Sequence, residues 1–93
     1  MNKMYIIKTT GTFEKEFNNI IYYISKVLKE KEIAKKFYIR VKESIQSLDY
    51  NPEKFQKIDK NSEIRRMIIK NFIILYSVDN ISREVSILHI FNR

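Results

Sequence analysis

The chain has 93 residues, one domain's worth, with 44% hydrophobic and 31% charged residues, a globular balance that argues against disorder. Lys plus Arg number 18 against 11 Asp plus Glu, and the net charge of +7 favours an anionic partner: nucleic acid, ribosome, an acidic protein or an anionic membrane surface. With no cysteine, one histidine (His89) and one glycine, disulfides, thiolate or His-rich metal sites, a Cys nucleophile and a glycine-rich phosphate loop are excluded, so neither a metal nor a cofactor is expected.

Met4 to Thr9 is β-rich, is bounded by Gly11, and predicts a short strand. The opening run MNKMYIIKTTGTF lacks the apolar core of a secretory signal, and no stretch approaches the ~20 apolar residues of a membrane span. A cytoplasmic location with no membrane partner is therefore expected. Thr12 is the expected N-cap of a helix over about 12–29, with Glu14 and Glu16 in the first turns, where the helix dipole favours anions. Phe13, Phe17, Ile20, Ile21, Ile24, Val27 and Leu28 recur at intervals of three and four and form its apolar stripe.

A charged break, Lys29-Glu30-Lys31-Glu32, precedes a second stripe of Ile33, Ala34, Phe37, Val41, Ile45 and Leu48. So short a break makes the helices an antiparallel hairpin. Asn51-Pro52 ends the second helix, because the residue before Pro is pushed out of the helical region. Residues 53–62 read as a polar, lysine-rich loop. Arg65 to Ile69 and Phe72 to Val78 then predict strands joined by a tight turn at Lys70-Asn71, where Asn tolerates positive φ. Asp79 to Arg83 is a longer turn, and Val85 to Phe91 the last strand.

The predicted fold is α+β, in the order β-α-α-β-β-β: an antiparallel meander packed against an N-terminal helical hairpin, all in a single domain over residues 1–93. The hairpin can cover only one face of the meander, yet the strands are apolar at both alternating sets of positions, as in Ile68 and Met67, or Ile73 and Ile74. A half-exposed antiparallel sheet normally alternates apolar with polar. Either the N-terminal region covers the second face or that face awaits a partner.

The scattered carboxylates Glu14, Glu16, Glu30, Glu32 and Glu43 read as solvated helix faces, as do Lys35, Lys36, Arg40 and Lys42. The tyrosines, Tyr22, Tyr23, Tyr38 and Tyr50 among them, suit core-edge and interface positions better than base stacking. The strand-end cations are more informative. Arg65 and Arg66 open one strand, Lys70 sits in its turn, Arg83 begins the last strand, and His89 and Arg93 close it. Strand ends of a meander can bring such groups together as an anion site, or the cations can simply blunt the edges. Histidine is the side-chain type that exchanges protons near neutral pH, so His89 is a candidate acid–base group, with a hydrogen-bonded structural role as its alternative.

The segments Ala34, Phe37, Ile45 and Leu48-Asp49-Tyr50-Asn51-Pro52, then Arg65-Arg66-Met67-Ile68-Ile69-Lys70-Asn71-Phe72-Ile73-Ile74-Leu75-Tyr76, then Val85 to Arg93, resemble in order the RelE/ParE toxins of bacterial type II toxin–antitoxin modules. The resemblance implies a cytoplasmic growth inhibitor neutralised by a cognate antitoxin, whose tail is often acidic. It also implies one of two activities: inhibition of DNA gyrase, as in the ParE-like branch, or metal-independent mRNA cleavage at the ribosome, as in the RelE-like branch. The RelE-like arginine before the strand tyrosine falls on Ile73, and the later RelE-like tyrosine finds no counterpart in this sequence. Another nuclease pattern pairs a His with a Tyr; His89 fits its His, but Phe91 offers no hydroxyl. The hairpin containing Arg65 resembles the ParE-like branch more. The leading expectation is thus a non-enzymatic gyrase inhibitor, with Arg65, Arg66, Lys70, Arg83 and Arg93 as target or antitoxin contacts. The alternative is an mRNA endoribonuclease using Arg65, Arg66, His89 and Arg93.

Overall fold

A computed structural model describes residues 4–93. Strand β1 (Ile6–Thr9) leads directly into helix α1 (Gly11–Tyr22). The N-cap is Thr10, not Thr12: its backbone is extended (φ −89, ψ 159) and its Oγ1 accepts the Phe13 N–H at 3.1 Å. The helix does not run on regularly to residue 29. It widens into a π-helical turn, Tyr23–Val27, closed by the Leu28 N–H donating to the Tyr23 carbonyl at 2.9 Å. The wider turn rotates the stripe, so Phe13 and Phe17 are buried while Val27 and Leu28 are 55% and 51% exposed. Lys29, at φ 56, then reverses the chain into α2 (Lys31–Gln46).

The second stripe packs as its spacing predicts. Ala34, Phe37, Val41, Ile45 and Leu48 are buried, and only Ile33, at the hairpin tip, turns out to solvent. Phe17 joins the helices through Phe37, at a centroid distance of 6.3 Å, and through Tyr38, stacked at 5.5 Å. Such aromatic pairs add about 0.5–1.5 kcal/mol each beyond the area they bury. Asn51-Pro52 ends the helical run as expected, after a short 3-10 turn at Ser47–Asp49. The following segment is less open than a plain loop. Pro52–Lys54 forms another 3-10 turn, and Lys57 bridges to Arg65, with hydrogen bonds from the Ile58 N–H to the Ile64 carbonyl and from the Arg66 N–H to the Gln56 carbonyl.

Strands β2 (Ile64–Ile69), β3 (Phe72–Asp79) and β4 (Glu84–Asn92) form the antiparallel meander. Its first turn falls at Lys70-Asn71, but Lys70 takes the positive φ, at 54, and Asn71 does not. β1 adds a fourth strand, parallel to β4 from Ile6 against Glu84 to Thr9 against Ile87, which gives the order β1-β4-β3-β2. A register shift beside Leu75/Tyr76 leaves Leu88 as an extra residue on β4. Inward positions therefore change parity from Val85 and Ile87 to Ile90, all buried.

The helical hairpin packs on the face presenting Met67, Ile69, Ile74, Tyr76, Val85, Ile87 and Ile90. β1 extends the sheet at its edge and covers neither face. The second face, carrying Arg66, Ile68, Ile73, Leu75, His89 and Phe91, has no described element across it. Of the two arrangements the sequence left open, the structure has the uncovered face.

Candidate functional site

Register and pleat set the uncovered face in rows across β2, β3 and β4. Arg66 lies opposite Leu75, which lies opposite His89; Ile68 lies opposite Ile73, which lies opposite Phe91. With strands ~4.8 Å apart, Arg66 and His89 flank Leu75 at a backbone separation of ~10 Å. The apolar row is one step nearer the β2–β3 turn, and its outer members are open to solvent, Ile68 at 46% and Phe91 at 41%. The row ends at a basic corner: the Arg93 N–H donates to the Asn71 carbonyl at 2.7 Å, and Arg93 Nη1 to the Lys70 carbonyl at 3.4 Å.

Of the six cations singled out in the sequence, Arg66 and His89 share the row across Leu75, and Lys70 and Arg93 lie at the turn, with the apolar row between the two pairs. The other two lie elsewhere. Arg65 shares the parity of Met67 and turns to the helix-covered face, where its Nη1 donates to the carbonyls of Phe55 at 2.7 Å and Glu53 at 3.2 Å. Its strand partner Tyr76 donates to the Pro52 carbonyl at 2.6 Å, and burial pushes that phenol up to about 12. Arg65 and Tyr76 together fasten the segment after α2 to the sheet. Arg83 lies beyond the opposite end of the face, over the Tyr5 ring at 4.3 Å.

His89 is coupled to Glu16, which the sequence places among the solvated helix faces and the structure does not. Its Nδ1 lies 3.2 Å from Glu16 Oε2, and Glu16 Oε1 accepts the Ile90 N–H at 3.0 Å. β1 ends opposite Ile87, so the edge of β4 beyond it is free of a strand partner, and the start of α1 takes that place. Thr10 reaches Ile87 and Leu88 through its N–H and hydroxyl, and Glu16 reaches Ile90. The His89 side chain remains 46% exposed beside this carboxylate. The available signal was positional: Glu16 sits three residues after Phe13 and four before Ile20, on the flank of the apolar stripe and not on the solvated face.

A second surface lies on the other side of the β2–β3 turn. Ile24, Ile33, Phe37, Ile39 and Phe72 supply the apolar lining of a groove of about 610 Å³ between the helical hairpin and the turn. Lys36, Arg40 and Lys70 rim it, with Glu43 as the acidic member. The Lys36 and Arg40 side of α2 is therefore the wall of a concavity as well as a solvated face. It continues to the hairpin tip, where Tyr22, Tyr23, Val27, Leu28 and Ile33 are each more than half exposed. Among the described residues no group of His, Asp and Glu is placed to hold a metal ion, and no helix is long and apolar enough to cross a membrane.

The family model described as "ParE toxin of type II toxin-antitoxin system, parDE" matches residues 7–93. Among solved structures, the chain resembles one titled "Chromosomal ParDE TA system from P. aeruginosa", with a TM-score of 0.77 and 20% identity over 97% of each chain. It also resembles the toxin–antitoxin complex RelBE2 of Mycobacterium tuberculosis, with a TM-score of 0.69 and 15% identity over 97% of this chain and 99% of the other. At these identities the likeness establishes the shared fold. Among curated proteins none matches.

Proposed function

The chain belongs to the ParE toxin family of type II toxin–antitoxin systems, and from that membership we propose that it arrests growth by binding DNA gyrase in the cytoplasm until a cognate antitoxin neutralises it. Residues 1–93 are read as one toxin domain. The observation that carries the reading is the family match over residues 7–93. The two similar structures are of a ParDE system and a RelBE2 toxin–antitoxin complex, which supports an antitoxin partner.

The geometry supports a division of labour. The groove between the hairpin and the β2–β3 turn has an apolar lining and a basic rim, which suits an acidic amphipathic segment of the antitoxin. The open sheet face, with Arg66 in the Leu75 row and Arg93 beside the turn, suits contact with the target. Arg65 supports that face indirectly, by holding the segment at 53–55 against β2.

One observation favours the RelE-like alternative of mRNA cleavage. The Glu16 carboxylate on His89 Nδ1 orients the imidazole as a proton carrier, with Arg66 in the same row. The experiment that separates the readings is pulse labelling after induced expression in a host without the antitoxin, beside a supercoiling assay with purified gyrase and no RNA. On the gyrase reading, thymidine incorporation falls before amino-acid incorporation and supercoiling is blocked. Supercoiling unaffected at high molar excess, with protein synthesis stopping first, overturns it in favour of mRNA cleavage.

A further inference from the structure

We propose that the tip of the helical hairpin pairs two copies of this chain about a two-fold axis, with Val27, Leu28 and Ile33 as its apolar contact and the run Lys29 to Glu32 as its charged one. Tyr22, Tyr23, Val27, Leu28 and Ile33 are each more than half exposed. They lie on one reversal of the chain. The Leu28 N–H donates to the Tyr23 carbonyl and the Glu30 N–H to the Ile24 carbonyl, both at 2.9 Å, and α2 begins at Lys31. Apolar side chains scattered over a surface need no partner, but gathered at one place they form a patch that calls for one. The π-helical turn makes this patch, since it carries Val27 and Leu28 away from the stripe that buries Phe13 and Phe17.

The backbone at the tip supplies a second observation. The bond from the Glu30 N–H to the Ile24 carbonyl closes a helix end whose preceding residue is left-handed, a place that glycine usually fills. Lys29 fills it here, at φ 56. The strain is kept for a side chain that its own chain does not use. Lys29, like Lys26, Glu30, Lys31 and Glu32, makes no side-chain hydrogen bond or ion pair with a described residue. Strain of this kind persists where the side chain serves a contact.

Charge decides what covers the patch. The chain carries a net charge of +7, so two copies repel one another in most orientations. At the tip the signs alternate, Lys29-Glu30-Lys31-Glu32, and cancel. A two-fold interface must complement itself. An axis passing between Glu30 and Lys31 sets Lys29 of each copy against Glu32 of the other, and Glu30 against Lys31, so each charge in the run meets its opposite. An anionic lipid surface or an acidic segment would instead be repelled by Glu30 and Glu32. Such a segment finds a better seat at Lys36, Arg40 and Lys70 on the rim of the groove. Ile33 also lines the groove, so the second copy closes one end of it.

The test is sedimentation velocity of the purified chain alone, over a concentration series. The parent should pass reversibly from monomer to dimer with no larger species, because a two-fold contact closes on itself. Leu28→Glu should weaken the dimer at least about tenfold, since it sets a carboxylate into the apolar contact. Ile81→Glu, at a turn where the side chain is 97% exposed, is the control for general stickiness and should leave the dimer unchanged. Mixing tests the axis itself. Lys29→Glu and Glu32→Lys each set like charges across it, so each variant alone should associate more weakly than the parent. Mixed in equal amounts they restore opposite charges and should form a heterodimer more tightly than either pairs with itself. A chain that stays monomeric at its highest soluble concentration, a dimer that Leu28→Glu leaves intact, or a mixture no tighter than its components would each overturn the proposal. Binding of phosphatidylglycerol vesicles by a chain that stays monomeric would overturn it in favour of a lipid surface. Unchanged circular dichroism separates lost contacts from lost folding, and if Leu28→Glu unfolds, the mixing experiment still decides. The assay contains neither gyrase nor antitoxin, so its outcome and that of the gyrase reading are independent.

Discussion

At the scale of single residues, adjacent arginines do different work because a strand turns neighbours to opposite faces. Arg66 stands on the uncovered face, while Arg65 is spent on the carbonyls of Phe55 and Glu53. Arg65→Ala should therefore lower stability by about 1–3 kcal/mol in a urea titration, because it leaves these carbonyls without a donor. Arg66→Ala should leave the midpoint within about 0.5 kcal/mol of the parent. Tyr76 carries the companion prediction. Its ring is fully buried and its hydroxyl serves the Pro52 carbonyl, so Tyr76→Phe should cost about 1–2 kcal/mol. Burial raises the folded phenol to about 12 from an ordinary value of 10.0, so the unfolded chain releases that proton first. The stability tied to Tyr76 is complete below pH ~10 and is lost as pH rises toward ~12. Denaturant midpoints followed across that window should fall more steeply for the parent than for Tyr76→Phe; equal slopes would place the loss elsewhere. Asp79 has the opposite sign: the Ser82 and Ile81 N–H groups hold its carboxyl below the usual range, so its contribution is lost as pH falls.

At the scale of elements, Glu16 shows how α1 is set against the sheet. β1 stops opposite Ile87, and one carboxylate then serves the Ile90 N–H and His89 Nδ1. Glu16→Ala should destabilise by about 1–2 kcal/mol and speed hydrogen exchange at the Ile90 amide. Glu16→Gln, which keeps an acceptor for that amide, should lose less; equal losses would show that the Ile90 bond contributes nothing. This contact also marks the limit of what periodicity conveys. The stripes of Phe13 and Phe17 and of Ala34 to Leu48 were legible because burial on one face imposes a local period, and the strand runs around Met67, Ile74 and Ile87 because β-branched and aromatic residues cluster there between turn signals. The parallel pairing of β1 with β4 was not legible, since it joins residues at opposite ends of the chain and alternation does not name a partner. The π-helical turn at Tyr23–Val27 escaped for a related reason: it changes which face Val27 and Leu28 occupy without changing their spacing in sequence. Of the candidate site, the sharing of one face by Arg66 and His89 and the separate placing of Arg65 both depended on which of two adjacent residues faces inward, and a one-residue register change reverses that.

At the scale of the whole molecule, the β2–β3 turn separates two surfaces of different chemistry. The groove lies on the helix side, and the row of Arg66, Leu75 and His89 lies on the open face. If the antitoxin seats in the groove and the target meets the sheet, neutralisation and toxicity are separable by substitution. Ile39 is the cleanest position from which to test the groove, because it lines the groove and is 45% exposed in the free chain. Ile39→Asp should leave the melting temperature nearly unchanged, since the new carboxylate stays in water until a partner covers it. Against an apolar antitoxin face that carboxylate must be desolvated, and it sets a negative charge where an acidic segment would dock, so affinity measured by titration calorimetry should fall at least about tenfold. The basic rim adds a kinetic signature. A chain of net charge +7 should capture an acidic segment more slowly as salt rises, and Lys36→Glu with Arg40→Glu should flatten that dependence more than it changes dissociation. In cells, Ile39→Asp should yield a toxin that arrests growth even with the antitoxin present, and Arg66→Ala one that is captured normally but arrests growth less. Unchanged antitoxin affinity in Ile39→Asp would move the antitoxin's seat from the groove to the sheet, where it would block the target by direct competition.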